Sequence, residues 1–204
     1  MTERRNHWEG IYQSKEFEAC SWYQEVPTHS LEMIDPLPLA KTHSILDVGG
    51  GESYLADSLL KKGFSTISVL DIAPTALEKS KKRMGKQAEQ ITWIHQDITQ
   101  FVPKHAFHLW HDRAVFHFLR TTEDISAYGN VMASSVVSGG YAVVGTFSKK
   151  GPLRCSGIDI QQYSLEELAQ CFETNFEVLA AKEFLHPTPA GSKQAFSFCT
   201  LKRK

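Results

Sequence analysis

The chain has 204 residues, 42% of them hydrophobic and 22% charged, with a formal net charge of -1. That length fits one domain able to bury roughly 70% of its surface, and the composition excludes disordered and fibrous classes. Near-neutral charge removes any overall electrostatic pull toward nucleic acid or anionic lipid.

The opening stretch MTERRNHWEGIYQSKE is polar where a secretory signal needs an apolar core, and no run of about 18 apolar residues occurs, so no membrane association and a cytoplasmic location are expected. Cys20, Cys155, Cys171 and Cys199 are scattered without a C-x-x-C pair, which predicts reduced thiols and no metal site. Residues 1 to 43 lack a strand pattern and read as a helix and loops laid over the core. Trp8 and Tyr12, spaced i and i+4, share one helical face there.

From Ser44 onward, β-branched runs alternate with amphipathic stretches, which predicts an α/β, Rossmann-like doubly wound sheet, mostly parallel with an antiparallel C-terminal strand. Seven strands are expected: Ser44 to Val48, Thr66 to Leu70, Ile91 to His95, His108 to Asp112, Tyr141 to Phe147, and a final pair near Phe176 to Leu185 and Gln194 to Lys202. A helix from Ser53 to Lys62 carries Tyr54, Leu55, Leu59 and Leu60 as an apolar stripe and stops at Gly63. The next has Pro74 in its first turn and stops at Gly85. A late helix opens on a capping box, Ser164 with Glu167. Between them Ser148 to Tyr163 reads as a long, functional loop.

The informative segment is SILDVGGGES, residues 44 to 53, a strand ending in Asp47-Val48, a three-glycine turn and then a helix. Glycine belongs where the chain turns sharply while its backbone approaches a ligand too closely for a Cβ. A plain tight turn and several nucleotide folds share that pattern. Asp71 ends the next strand, where a carboxylate reaches the ribose hydroxyls of a nucleoside, and Asp97 follows the third strand, where it can meet an adenine edge. A dinucleotide fold would want a small residue three positions after Gly51; Tyr54 stands there instead. Asp47, just before the glycines, suits a cationic aminoacyl-sulfonium better than a pyrophosphate, and no Gly-Lys-Ser/Thr makes a P-loop.

The segments LDVGGGES, VLDIA and HQDI resemble the successive cofactor motifs of class I S-adenosylmethionine-dependent methyltransferases, from about Trp8 to the C-terminus. The family's first motif reads acidic-x-Gly-x-Gly-x-Gly; Asp47, Gly49 and Gly51 match, and Ser53 replaces the last glycine. The resemblance implies S-adenosyl-L-methionine as cofactor and S-adenosyl-L-homocysteine as product. It implies that Gly49 and Gly51 approach the amino-acid part, that Asp71 binds ribose with Ile72 against the purine, and that Asp97 with Ile98 recognises adenine.

The fourth strand leads into HLWHDRAVFHFL, residues 108 to 119, which is similar to the acceptor-side motif of small methyltransferases related to thiopurine methyltransferase and to elongation-factor lysine methyltransferases. Asp112-Arg113 matches their acidic-basic pair, which implies that Arg113 touches the cofactor or grips an anionic acceptor, the alternative being a structural Asp112-Arg113 contact. His111, Asp112 and His117 are candidate bases, though a histidine beside aromatic residues such as Phe116 and Phe118 reads more simply as a packed side chain in either position. Trp8 and Tyr12 resemble the aromatic lid of the same subgroup, which implies packing near the sulfonium and a hydrogen bond to the methionine carboxylate, the alternative being a helix docked by its aromatic stripe for stability alone; Trp22 and Tyr23 carry less weight. The expected function is methyl transfer to a small-molecule or protein side-chain acceptor from one domain, residues 1 to 204, with 1 to 43 as lid. A non-catalytic cofactor-binding module on the same fold is the alternative. A nucleic-acid substrate is not expected, since Asn-Pro-Pro-Tyr and Asp-Pro-Pro-Tyr are absent.

Overall fold

A computed structural model describes residues 3 to 204. It contains a seven-stranded sheet in the order β3-β2-β1-β4-β5-β9-β8. The strands are β1 (Ser44–Val48), β2 (Thr66–Asp71), β3 (Ile91–His95), β4 (Phe107–Arg113), β5 (Val136–Phe147), β8 (Phe176–Pro187) and β9 (Lys193–Arg203). β9 alone runs against its neighbours, pairing antiparallel with both β5 and β8. The Rossmann-like expectation and the single reversed C-terminal strand are borne out.

All five residues of β1 are buried, as a central parallel strand covered on both faces requires. Alternation then sorts its side chains. Ile45 faces a core built with Leu55, Leu59, Leu77 and Ile34, which come from α2 (Thr28–Ile34), α3 (Leu55–Lys61) and α4 (Pro74–Met84). Leu46 and Val48 face the opposite core with Tyr128, Met132 and Leu168, from α5 (Thr122–Ser135) and α6 (Leu165–Gln170). The strand order reverses between β1 and β4, so the carboxyl ends of these two strands open a crevice, the place where such sheets take ligands.

Helix boundaries follow local chemistry. Gly63 (φ 88°) and Gly85 (φ 56°) end α3 and α4 in left-handed conformations. Ser164 and Glu167 close the capping box on α6 in both directions. The helix expected from Ser53 begins two residues later, α3 starting at Leu55, whose N–H donates to the Ser53 hydroxyl at 3.0 Å. Among the described residues up to 43 there is no strand, as expected: α1 (Glu3–Ser14), a 3-10 turn (Phe17–Ala19) and α2 occupy them.

Two features differ from the sequence reading. β5 begins at Val136 rather than Tyr141, because α5 runs straight into it and Val136 is buried under that helix. Residues 148 to 163 are not loop throughout; Arg154–Cys155 (β6) and Ile158–Asp159 (β7) pair as a small ribbon. Its turn uses two positive φ values in succession, Ser156 (51°) and Gly157 (80°), the backbone twist a two-residue hairpin favours. No helix among the described residues is long and apolar enough to cross a membrane.

Candidate functional site

One cleft runs along the carboxyl ends of β1, β2 and β4, and the glycine turn after β1 forms its floor. Gly49 and Gly50 both donate to Leu70 O, at 2.7 and 3.2 Å, which folds the turn back over β2. Gly49 has φ 64°, and a Cβ there would lie 2.0 Å from Val115 Cγ2. Gly51 has φ 42°, and its Cβ would lie 2.6 Å from the Tyr12 hydroxyl and 3.1 Å from Asp71 Oδ2. The absence of side chains therefore lets Tyr12 of the N-terminal helix and Asp71 converge on this turn. Gly50 lines the cleft, whereas Gly51 sits beneath Tyr12.

Three strand-end carboxylates meet this cleft with different surroundings. Asp47 is buried, and its Oδ1 lies 2.7 Å from His111 Nδ1 on the facing strand. His111 Nε2 in turn meets Ser30 Oγ on α2 at 2.8 Å. Asp71 accepts Ala73 N–H at 2.8 Å, and no side-chain cation pairs with it among the described residues. Burial pushes its carboxyl up to about 7, with the charge of Asp47 adding to the rise. Asp97 Oδ1 accepts Thr99 N–H and its hydroxyl at 2.9 and 2.8 Å, while Arg4 approaches its Oδ2 at 3.4 Å. Ile72 and Ile98 line the same end of the cleft.

Helix α1 closes over the glycine turn. Trp8 and Tyr12 stand on one face, ring centroids 6.3 Å apart, and Trp8 meets Phe118 edge-on at 4.9 Å. Arg4 ties the helix down by bridging Asp97 to Asp124 on α5, the second contact at 2.7 Å. Glu9 fastens it to α4, accepting Thr75 N–H at 3.2 Å in that helix's first turn, where a carboxylate also favours the dipole. Tyr12 is buried, so its phenol is pushed well above the ordinary range, with Asp71 adding to the effect. It remains a neutral hydrogen-bonding group.

At the β4 end the neighbours Asp112 and Arg113 part company. Asp112 is fully buried on the α5 face, where it accepts Tyr128 O–H at 2.6 Å, Val115 N–H at 2.9 Å and Phe116 N–H at 3.2 Å. It does not line the cleft, and burial raises its carboxyl to about 6. Arg113 lines the cleft and donates from Nη1 to Trp22 O at 3.0 Å; it makes no contact with Asp112 that would bear out a structural pair. His111 lines the cleft with both ring nitrogens engaged, and His117 is stacked on Phe147 at 4.7 Å, as its packed reading anticipated.

The structure thus gathers Trp8, Tyr12, Asp47, Gly49, Asp71, Ile72, Asp97, Ile98, His111 and Arg113 around one cleft and leaves Asp112 outside it. It adds Ser30, Gln96, Phe147, Cys155 and Phe196, which the sequence reading did not single out. Phe196 arrives because β9 runs antiparallel and lays it opposite Phe147. Only that pairing reveals it. The buried Asp71, without a side-chain cation among the described residues, the aromatic faces and the glycine backbone make a wall that fits an adenosyl group bearing a cationic sulfonium.

The pattern of the family described as "Methyltransferase domain" matches residues 45–140. The chain is 28% identical over 177 residues to malonyl-[acyl-carrier protein] O-methyltransferase 1 of Ilyobacter polytropus, across 79% of this chain and 63% of that protein. It is 23% identical over 221 residues to the eEF1A lysine and N-terminal methyltransferase of Mus musculus, across 96% of this chain and 30% of that one. The chain therefore spans less than two thirds of the length of these relatives. Among solved structures, the 1,6-didemethyltoxoflavin-N1-methyltransferase of Burkholderia thailandensis, with bound 1,6-didemethyltoxoflavin and S-adenosylhomocysteine, superposes with a TM-score of 0.77 at 16% identity, covering 98% of this chain and 87% of that one. A SAM-dependent methyltransferase from Anabaena variabilis gives 0.74 at 15% identity, covering 100% and 96%. These two likenesses establish the fold.

Proposed function

We propose that the chain is a class I S-adenosylmethionine-dependent methyltransferase, a reading supported by its cofactor motifs and by the methyltransferase-domain match, and that it moves a methyl group to a small-molecule or protein side-chain acceptor held at the β4 end of the cleft. The observation that carries the reading is the convergence of Asp47, the glycine turn, Asp71 and Asp97 on one crevice at the β1/β4 switch point. By name, one relative acts on malonyl-[acyl-carrier protein] and another on eEF1A lysine and N-terminal groups, so the likenesses support a methyl transfer without choosing the acceptor.

When bound, S-adenosylmethionine supplies an already activated methyl group on a sulfonium. The chain's own task is then positioning and exclusion of water. In this reading ionised Asp71 accepts the two ribose hydroxyls, Ile72 and Ile98 flank the purine, and Asp97, fixed by Thr99 and Arg4, reads the adenine edge. Gly49 and Gly50 let the amino-acid end approach the backbone, and residues 1 to 43 act as the lid, with Trp8 and Tyr12 over the sulfonium. His111 orients Asp47 rather than moving a proton, because both its nitrogens are engaged. Asp112 holds the β4 to α5 turn.

Calorimetry with S-adenosylhomocysteine tests the donor half: the wild type binds, and Asp71→Ala, still folded, binds at least about tenfold more weakly. Unchanged affinity in that variant would sink the assignment. Incubation with a methyl-tritiated donor and a cell lysate, separated into protein and small-molecule fractions, tests the acceptor half. Binding without any labelled product would favour a non-catalytic cofactor-binding module.

A further inference from the structure

Resting on the methyl-transfer reading of the cleft, we propose that the acceptor carries a carboxylate and that Arg113 grips it through Nε and Nη2. Arg113 lines the cleft at the end of β4, and its Nη1 is committed to Trp22 O at 3.0 Å. Its Nε and Nη2 are sealed from solvent and have no hydrogen-bond partner among the described residues. These two donors lie side by side along one edge of the planar guanidinium, spaced to meet both oxygens of a single carboxylate.

Among the described residues the charge has no counter-ion. Arg113 forms no ion pair among the described residues, and the ring it overlies is that of Phe196, 5.0 Å away. The nearby histidines cannot neutralise it. Burial, aided by the arginine's own charge, pushes His117 down to about 3 and His186 to about 4, and it lowers His29 as well. Each is a neutral ring at physiological pH, held by stacking or by a backbone contact: His117 on Phe147, His29 on Phe184, His186 at 2.8 Å from Ser21 O. Burial draws Arg113 itself down to about 10, so it stays a cation and bears an uncompensated desolvation cost. An anion delivered by a ligand removes that cost.

Placement assigns the anion to the acceptor. Arg113 shares its end of the cleft with Phe147 at the close of β5 and with Phe196 of β9, whereas Asp71 and Asp97 mark the other side of β1. Trp22, Phe118, Phe147 and Phe196 supply flat apolar walls, so the carboxylate belongs to a body with an apolar, planar face. The cofactor's own methionine carboxylate is the competing source of the same chemistry.

The test uses the protein loaded with S-adenosylhomocysteine and titrates benzoate against benzamide, its neutral counterpart, by calorimetry and by the ¹⁵Nε–H resonance of Arg113. Benzoate is expected to bind at least about tenfold more tightly than benzamide and to shift that resonance. Arg113→Gln is expected to lose about tenfold in benzoate affinity while keeping S-adenosylhomocysteine affinity within about twofold; Arg113→Lys, which keeps the charge and loses the fork, falls between. Equal binding of the two probes, or an unmoved resonance, overturns the proposal. A collapse of S-adenosylhomocysteine affinity in Arg113→Gln also overturns it, because the gripped carboxylate is then the cofactor's. If the variants fail to fold, the wild-type resonance decides alone. Failure of the wild type to bind S-adenosylhomocysteine sinks the methyl-transfer reading instead, and the benzoate titration of the unloaded protein still judges the grip.

Discussion

Asp47 on β1 and His111 on β4 are register partners whose Oδ1 and Nδ1 lie 2.7 Å apart in the buried centre of the sheet. Ser30 completes the chain at 2.8 Å from the other ring nitrogen, so α2 is fastened through His111 to the carboxylate two residues before the glycine turn. A carboxylate buried this deeply needs its partner. His111→Phe is expected to lose about 3 kcal/mol of stability, because it strands Asp47, and Ser30→Ala about 1 kcal/mol. Urea unfolding of both variants checks this; a His111→Phe protein as stable as wild type would show the pair to be incidental.

Protonation of Asp71 sets a pH dependence. Its folded value of about 7 stands above the ordinary 3.8, so ionisation opposes the ligand-free fold. The stability this group contributes is present below about 4 and is lost as pH climbs toward 7. Accepting two ribose hydroxyls requires the ionised form. S-adenosylhomocysteine affinity is therefore expected to weaken as pH falls from 8 to 6, with protons released on binding near pH 7. Calorimetry in two buffers of different ionisation enthalpy reads that release, and Asp71→Asn should bind weakly at every pH with none.

Gly51 is constrained twice, by φ 42° and by the Tyr12 hydroxyl 2.6 Å from where a Cβ would stand. Gly51→Ala is expected to cost about 2 kcal/mol and to displace the lid. Tyr12→Phe removes the steric part only, so the same alanine costs less in that background, though not zero. A double-mutant cycle in thermal unfolding measures the coupling; strict additivity would refute the contact.

Asp112 serves the fold. Its oxygens accept from Tyr128, Val115 and Phe116, and an amide would set a donor against one of those donors. Asp112→Asn should lose about 1–3 kcal/mol while S-adenosylhomocysteine affinity is unchanged. The wild-type carboxyl is raised to about 6, so wild type gives up stability as pH rises from about 4 to 6, and the gap to the variant narrows over that window. A variant of native stability that has lost only cofactor affinity would reverse this assignment.

Arg4 joins the lid to Asp97 and Asp124 with about a third of its side chain exposed. Screening keeps such a pair below about 1 kcal/mol in global stability. Its effect should appear instead as faster release of S-adenosylhomocysteine from Arg4→Ala in stopped-flow fluorescence of Trp8. Identical release rates would mean that α1 closes without it.

The elements most open to sequence reading were those whose cause is local. The buried run Ser44–Val48, the glycine turn, Gly63, Gly85 and the Ser164–Glu167 box each carry their reason within a few residues, and the structure shows them there. Helix α5 carries only a start signal, the Thr121 hydroxyl accepting Asp124 N–H at 3.1 Å; TEDISAYGNVMASS is otherwise weakly patterned, and its stability comes from Tyr128 and Met132 packing beneath β4. The site divides the same way. Asp47, Asp71 and Asp97 declare themselves because each ends a strand, and strand ends in a parallel sheet share one edge. Whether a strand-end residue faces the cleft is a matter of alternation and register, and so His111 and Arg113 enter it while Asp112, between them, turns away to Tyr128. Sequence alone determined the sheet, its glycine turn and the donor carboxylates, since these follow from periodicity and backbone geometry. Tertiary structure alone decided that Ser30 would lock His111 and that Phe147 and Phe196 would wall an arginine without a counter-ion, because those contacts join segments that only packing brings together.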